Sequence, residues 1–134
     1  MNKNVLLLCT NNSGISIIAQ AILSKYLKGL NVFSASLSKN KPIKIEVKKA
    51  LQKDGSWDNE FTSKPLEVLH AQKFDLVILL EEVSAKQTPD FGDETTLIQI
   101  EYEEPNYSSE ITLDKFIKTI KMELIPITRD ILEL

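Results

Sequence analysis

Hydrophobic residues follow two spacings along the chain, continuous short runs typical of buried strands and a three-to-four-residue spacing typical of helices. The predicted strands are Val5–Leu8, Asn31–Ala35, Phe74–Leu80 and Thr95–Ile100. The predicted helices are Ile15 to about Gly29, Ile43–Lys53, a short one marked by Leu66, Leu69 and His70, and Leu113–Leu132 with a kink at Pro126. Because strands alternate with helices, the pattern predicts an α/β fold: a parallel sheet with helices on both faces and Val5–Leu8 inside it. The stretch Glu81–Phe91 is expected to be a variable connection, with Glu81 and Glu82 facing solvent.

Composition narrows the class of protein. The 134 residues, 43% of them hydrophobic, fit a single domain spanning 1–134. A net charge of −3 gives no basic surface for nucleic acid or an anionic membrane. No apolar run reaches membrane-spanning length and no signal peptide is recognisable. One cysteine excludes an internal disulfide, and no Cys/His grouping predicts a metal site. These features are those expected of a cytoplasmic protein without a cofactor.

The stretch from the first strand into the first helix carries the candidate chemistry. Cys9 ends the apolar run, a polar turn follows, and helical spacing begins near Ile15. Unpaired N–H groups and the helix dipole make such a strand–loop–helix unit a potential anion site. A cysteine there is expected to have a lowered pKa and to act as a thiolate nucleophile. The loop itself contains no basic residue, and the only arginine of the sequence is Arg129.

The segment L-L-C-T-N-N-S-G-I-S resembles the phosphate loop of low-molecular-weight protein tyrosine phosphatases and thioredoxin-coupled arsenate reductases, which reads C-T-G-N-S-C-R-S in many members. The resemblance continues through almost the whole chain, in order. It implies a three-layer α/β/α fold with a four-stranded parallel sheet in the order 2-1-3-4. The matching positions are Cys9, Thr10, Asn12, Ser13 and Ser16 in the loop, then Ser34-Ala35, Thr62-Ser63-Lys64, Phe74–Ile78 and Glu103-Glu104-Pro105.

The resemblance also implies roles for individual residues. Cys9 would be the nucleophile, and Glu104, or else Glu103, would stand where the family has its general acid, an aspartate. The loop residues that would bind the oxyanion are Thr10, Asn11, Asn12, Ser13, Gly14, Ile15 and Ser16.

Several positions depart from the family pattern. Ile15 replaces the loop arginine, Gly14 replaces the reductases' second cysteine, and their further shuttle cysteines are absent. Asn11 replaces a glycine, so a left-handed backbone conformation is expected there. Lys64, Lys41 or another lysine could turn inward to replace the arginine.

Three functions stay open. The favoured one is a degenerate relative that binds a phosphate-like oxyanion, or a phosphorylated or regulatory protein, with little or no phosphatase turnover. The alternative is an active phosphatase or arsenate reductase that depends on Cys9, using an external thiol for arsenate reduction. The third is a cysteine phosphocarrier, because such proteins also have a strand–cysteine–loop–helix unit without arginine.

Overall fold

The computed structural model describes residues 2–82 and 87–134. These residues form the strands β1 (Lys3–Cys9), β2 (Leu30–Ser36), β3 (Leu76–Leu79) and β4 (Thr96–Gln99). They also form the α-helices α1 (Ile15–Tyr26), α2 (Ile45–Asp54) and α3 (Glu110–Leu132), and a 3₁₀ helix at Leu66–Leu69. Helix α1 stops earlier than predicted because Leu27 is already extended, and Gly29, at φ 77°, makes the turn into β2. The predicted connection Glu81–Phe91 lies partly outside the described residues.

The sheet is parallel throughout, in the order β2-β1-β3-β4. Strand β1 is therefore internal, and Leu7 lies opposite Ser34 on one side and Ile78 on the other. This arrangement confirms the predicted α/β fold and strand order. It also explains why β1 and β3 read as continuous apolar runs, because both of their faces are buried.

The two faces of the sheet are covered differently. Val5 and Leu7 pack in one core cluster with buried residues of α1, α2 and α3. Leu6 and Leu8 face the other side, where the 3₁₀ helix and the phenylalanines Phe33, Phe74 and Phe91 cover them. Helix α3 continues through Pro126, and the kink there stays a prediction.

The loops that matter for function follow the carboxyl ends of the strands, the edge at which parallel sheets usually bind ligands. The β1–α1 loop lies beside the residues after β3 and the segment between β4 and α3, as the contacts below show. No helix in the described part of the chain is both long and apolar enough to cross a membrane.

Candidate functional site

The backbone of the β1–α1 loop turns its carbonyl groups outward. The carbonyls of Cys9, Thr10, Asn11 and Ser13 accept hydrogen bonds from the backbone N–H groups of Leu37, Ser38, Lys41 and Lys44, at 2.9, 3.2, 3.0 and 3.0 Å. A carbonyl and the next residue's N–H point in opposite directions across a planar peptide unit. The N–H groups of the loop therefore face its interior, where successive amides can form an anion-binding concavity.

Cys9 lies at the base of this loop and is 4% exposed. Its Sγ donates a hydrogen bond to Ser16 Oγ at 2.9 Å, and Asn12 Nδ2 donates to the same oxygen at 2.8 Å. Burial raises the pKa of the thiol, and the charge of Glu81 raises it further. The Ser16 hydroxyl, which can turn its proton towards a thiolate, and the amides of Asn12 and Ser16 oppose that shift without cancelling it. The predicted lowering of the Cys9 pKa is thus wrong, because desolvation outweighs the loop's neutral donors.

Asn12 holds the loop in shape. It is fully buried, with φ at 51°, and its Oδ1 accepts a hydrogen bond from the backbone N–H of Lys64 at 3.0 Å. The sequence predicted a left-handed conformation at Asn11, and this prediction is wrong, because the left-handed residue is Asn12. Asn11 instead donates from Nδ2 to the carbonyl of Lys39 at 3.2 Å.

The position of the family arginine contributes no charge. Ile15 is 1% exposed and belongs to the main core cluster, so its side chain serves packing. The Lys64 ammonium donates to the carbonyls of Ser34 and Thr62 at 3.1 and 2.8 Å, and burial lowers its pKa. Lys41 is exposed and supports the loop through its backbone N–H. The structure does not bring Lys64 or Lys41 into the role of the arginine.

A carboxylate lies at the start of the loop. Glu81 accepts hydrogen bonds from the backbone N–H of Thr10 at 2.9 Å and from its hydroxyl at 2.5 Å. Glu81 is half-buried, so the expectation that it faces solvent holds only in part, whereas Glu82 is exposed. The two partners are 71 residues apart, so no local pattern along the chain could predict this contact.

The segment between β4 and α3 reaches the loop through Tyr107. A Cβ atom built on Gly14 would overlap the Tyr107 hydroxyl, so the phenol fills the space beside that glycine. The hydroxyl oxygen is buried, and no acceptor in the described chain makes a hydrogen bond of good geometry with it, although the Glu104 carboxylate lies within interaction range. Burial, followed by the nearby Glu104 carboxylate, raises the Tyr107 pKa. Glu104 is thus close to Tyr107 but exposed, as is Glu103.

Tyr107 was not predicted as a site residue. The signal that could have indicated it is its position, an aromatic residue three places after the candidate acid Glu104. Lys44 Nζ lies 4.9 Å from the centroid of its ring and stabilises it there. Within residues 2–82 and 87–134, no group of three or more His, Cys, Asp or Glu side chains is arranged to hold a metal ion.

Known structures share this architecture. The thioredoxin-dependent arsenate reductase of Corynebacterium glutamicum matches with a TM-score of 0.76 and 24% identity, over 98% of this chain but 62% of that protein. An arsenate reductase in the phosphate binding state matches with a TM-score of 0.81 and 21% identity, over 96% of this chain and 98% of that one. The low-molecular-weight tyrosine phosphatase of Bacillus subtilis matches with a TM-score of 0.76 and 16% identity, over 97% of both chains.

These identities are low, so the structural matches establish the fold. No curated protein sequence matches the chain. A family model described as low molecular weight phosphotyrosine protein phosphatase matches residues 4–131, which confirms the resemblance predicted from the sequence. The chain therefore belongs to the low molecular weight phosphotyrosine protein phosphatase family.

Proposed function

We propose that the protein is a family member that binds an oxyanion in the loop Cys9–Ser16 and hydrolyses phosphate esters very slowly or not at all. The observation that carries this proposal is the burial of Ile15 in the core, at the position where the family resemblance puts the catalytic arginine. The loop offers backbone donors but lacks the charged side chain that would complete the catalytic site.

Backbone donors support oxyanion binding. The outward carbonyls leave the N–H groups of Asn11, Asn12 and Gly14 on the inner side of the loop. Helix α1 begins at Ile15, and its N-terminus adds roughly half a positive charge. The bonds of Asn12 to Ser16 and to Lys64 fix this arrangement before any ligand arrives. Such preorganised amides bind anions without a basic side chain.

The same geometry opposes turnover. The raised pKa keeps Cys9 as a neutral thiol, which is a poor nucleophile. The loss of a preorganised donor to the transition state costs about 3–4 kcal/mol, a rate loss of about a thousandfold, and a bidentate arginine supplies more than one donor. Glu104 is exposed, whereas a carboxylic acid that donates a proton near neutral pH usually needs burial to raise its pKa.

A reaction at Cys9 is the second candidate, and one contact favours it. The Ser16 hydroxyl lies 2.9 Å from the Cys9 sulfur and could stabilise a thiolate once it forms. In that case the protein would act on a phosphorylated protein, or would reduce arsenate with an external thiol, since Cys9 is the only cysteine in the sequence.

Two measurements on the purified protein test the proposal. Titration with phosphate should shift the amide NMR signals of Asn12, Gly14 and Ser16 and leave that of Gly55, at the end of α2, unchanged. The wild type should hydrolyse p-nitrophenyl phosphate no faster than Cys9→Ser does. It should also reduce arsenate no faster than that variant when thioredoxin or glutathione is added. Turnover well above the Cys9→Ser rate would establish the second candidate, and unchanged loop signals would overturn oxyanion binding.

A further inference from the structure

We infer that the loop selects a singly charged, protonated oxyanion over a doubly charged one, with Glu81 setting the preference and the Tyr107 hydroxyl serving as a side-chain donor. This inference rests on the proposed function and specifies the ligand class. In chemical terms, the preferred ligands are the monoanions of phosphate and arsenate, and sulfate is disfavoured.

The charged groups around the loop are the first argument. The Glu81 carboxylate is bound to Thr10, and Glu104 lies close enough to Tyr107 for its charge to raise that pKa. Burial raises the pKa of Cys9 and so favours the neutral thiol. On the basic side, the Lys64 ammonium is bonded to backbone carbonyls, and Lys44 Nζ lies 4.9 Å from the centroid of the Tyr107 ring. The amides attract an anion, but a second negative charge on the ligand meets Glu81 without a matching cation.

The lone pairs of Glu81 are the second argument. Each carboxylate oxygen accepts one bond from Thr10, at 2.9 and 2.5 Å. An ionised carboxylate can accept about four hydrogen bonds, so acceptor capacity remains next to the first amide of the loop. A protonated oxyanion can donate its O–H to this carboxylate. Sulfate has no proton to donate and is repelled, whereas the phosphate dianion keeps one proton but carries the second charge that Glu81 repels.

The Tyr107 hydroxyl is the third argument. It is buried beside Gly14, and the nearby Glu104 side chain makes no hydrogen bond of good geometry with it. A buried donor without a well-placed acceptor is costly unless a ligand supplies one. A phenol donates a hydrogen bond without adding charge. It therefore fits a site that is built from neutral donors and favours a ligand of low charge.

The test compares phosphate with sulfate by calorimetric titration of the intact protein. Phosphate loses its second proton between about pH 6 and about pH 8, as phosphate esters do, whereas sulfate stays doubly charged. The wild-type protein should bind phosphate at least about tenfold more tightly at about pH 6 than at about pH 8. It should bind sulfate weakly at both pH values. Glu81→Gln should bind sulfate and lose most of the pH dependence. Tyr107→Phe should weaken phosphate binding several-fold and leave its pH dependence unchanged.

Glu82→Gln is the matched control, because Glu82 is the neighbour of Glu81 in the chain but is exposed; it should behave as the wild type. Sulfate binding as tight as that of phosphate in the wild type, or phosphate binding that tightens with rising pH, would overturn the inference and leave the proposed function intact. Failure of the wild type and all variants to bind either anion would overturn both.

Discussion

The side-chain oxygen of Asn12 accepts a hydrogen bond from the backbone N–H of Lys64 at 3.0 Å, and the two residues are 52 positions apart. The amide group of the same side chain donates to Ser16 Oγ at 2.8 Å. One buried asparagine therefore joins the loop to the start of its own helix and to a distant segment. Changes at this residue should be felt in stability as well as in binding.

Asn12→Ala should lower the free energy of unfolding by about 3 kcal/mol. The left-handed conformation at φ 51° costs alanine about 1–2 kcal/mol, and the unpaired Lys64 N–H adds about 1–3 kcal/mol. Asn12→Gly removes the same side chain but tolerates that conformation, so it should lose about 1 kcal/mol less. Urea denaturation of both variants measures the difference. Equal losses would show that the backbone conformation contributes nothing.

Gly14→Ala should destabilise the protein by about 1–3 kcal/mol, because the new methyl group overlaps the Tyr107 hydroxyl. Tyr107→Phe removes that hydroxyl, whose nearby acceptor is the exposed Glu104 side chain, so the single change should cost little. The double variant should recover part of the loss, which thermal denaturation of the four proteins would measure. Strict additivity of the two changes would show that the two side chains do not meet.

Ile15→Arg tests the position of the absent arginine. The residue is 1% exposed, so an arginine there should lower the melting temperature by several degrees, as an unpaired charge in a core does. Phosphate should restore part of that loss by binding the folded state. Ile15→Met, which keeps the volume and adds no charge, should show only a small change and no larger phosphate effect than the wild type. A phosphate-independent melting temperature in Ile15→Arg would mean that the new side chain does not reach the loop.

The raised pKa of Cys9 predicts a pH dependence of both reactivity and stability. Alkylation by iodoacetamide should be slow at neutral pH and should accelerate only above the ordinary thiol pKa of about 8.5. Because the folded protein holds the proton more tightly than the unfolded chain, stability is fully present below that pKa and falls as the pH rises towards the folded value. Glu81→Gln should move the alkylation profile to lower pH. A profile centred below the ordinary value in the wild type would contradict the structure.

The strands and helices could be predicted because their signals are local. The apolar run Val5–Leu8 lies inside β1 and the run Phe74–Leu80 contains β3, and burial on both faces is what makes such runs continuous. The predicted ends of the helices were less accurate than their existence. Helix α1 ends at Tyr26, before the predicted end at Gly29, because Leu27 is extended and buried, with 4% of it exposed.

The site could be predicted only in part, for a physical reason. Cys9, Asn12 and Ser16 match the family spacing and do meet in the structure. Glu81 and Tyr107 reach the loop from distant segments of the chain. No sequence pattern near Thr10 or Gly14 predicts these contacts. The Cys9 pKa was predicted in the wrong direction because it depends on burial and on the Glu81 charge, which exist only in the folded chain.

The outward hydrogen bonds of the loop carbonyls have a consequence for folding. Their donors lie in the segment between Leu37 and Lys44, about 28 or more positions along the chain from their acceptors. The loop is short and contiguous, yet its shape is imposed from outside. It can form only after β2 has paired with β1 and the following segment has docked, since closing a long chain segment precedes the contacts that reward it. A peptide that carries only β1, the loop and α1 should therefore remain without an anion site, and in refolding the site should appear after the helices.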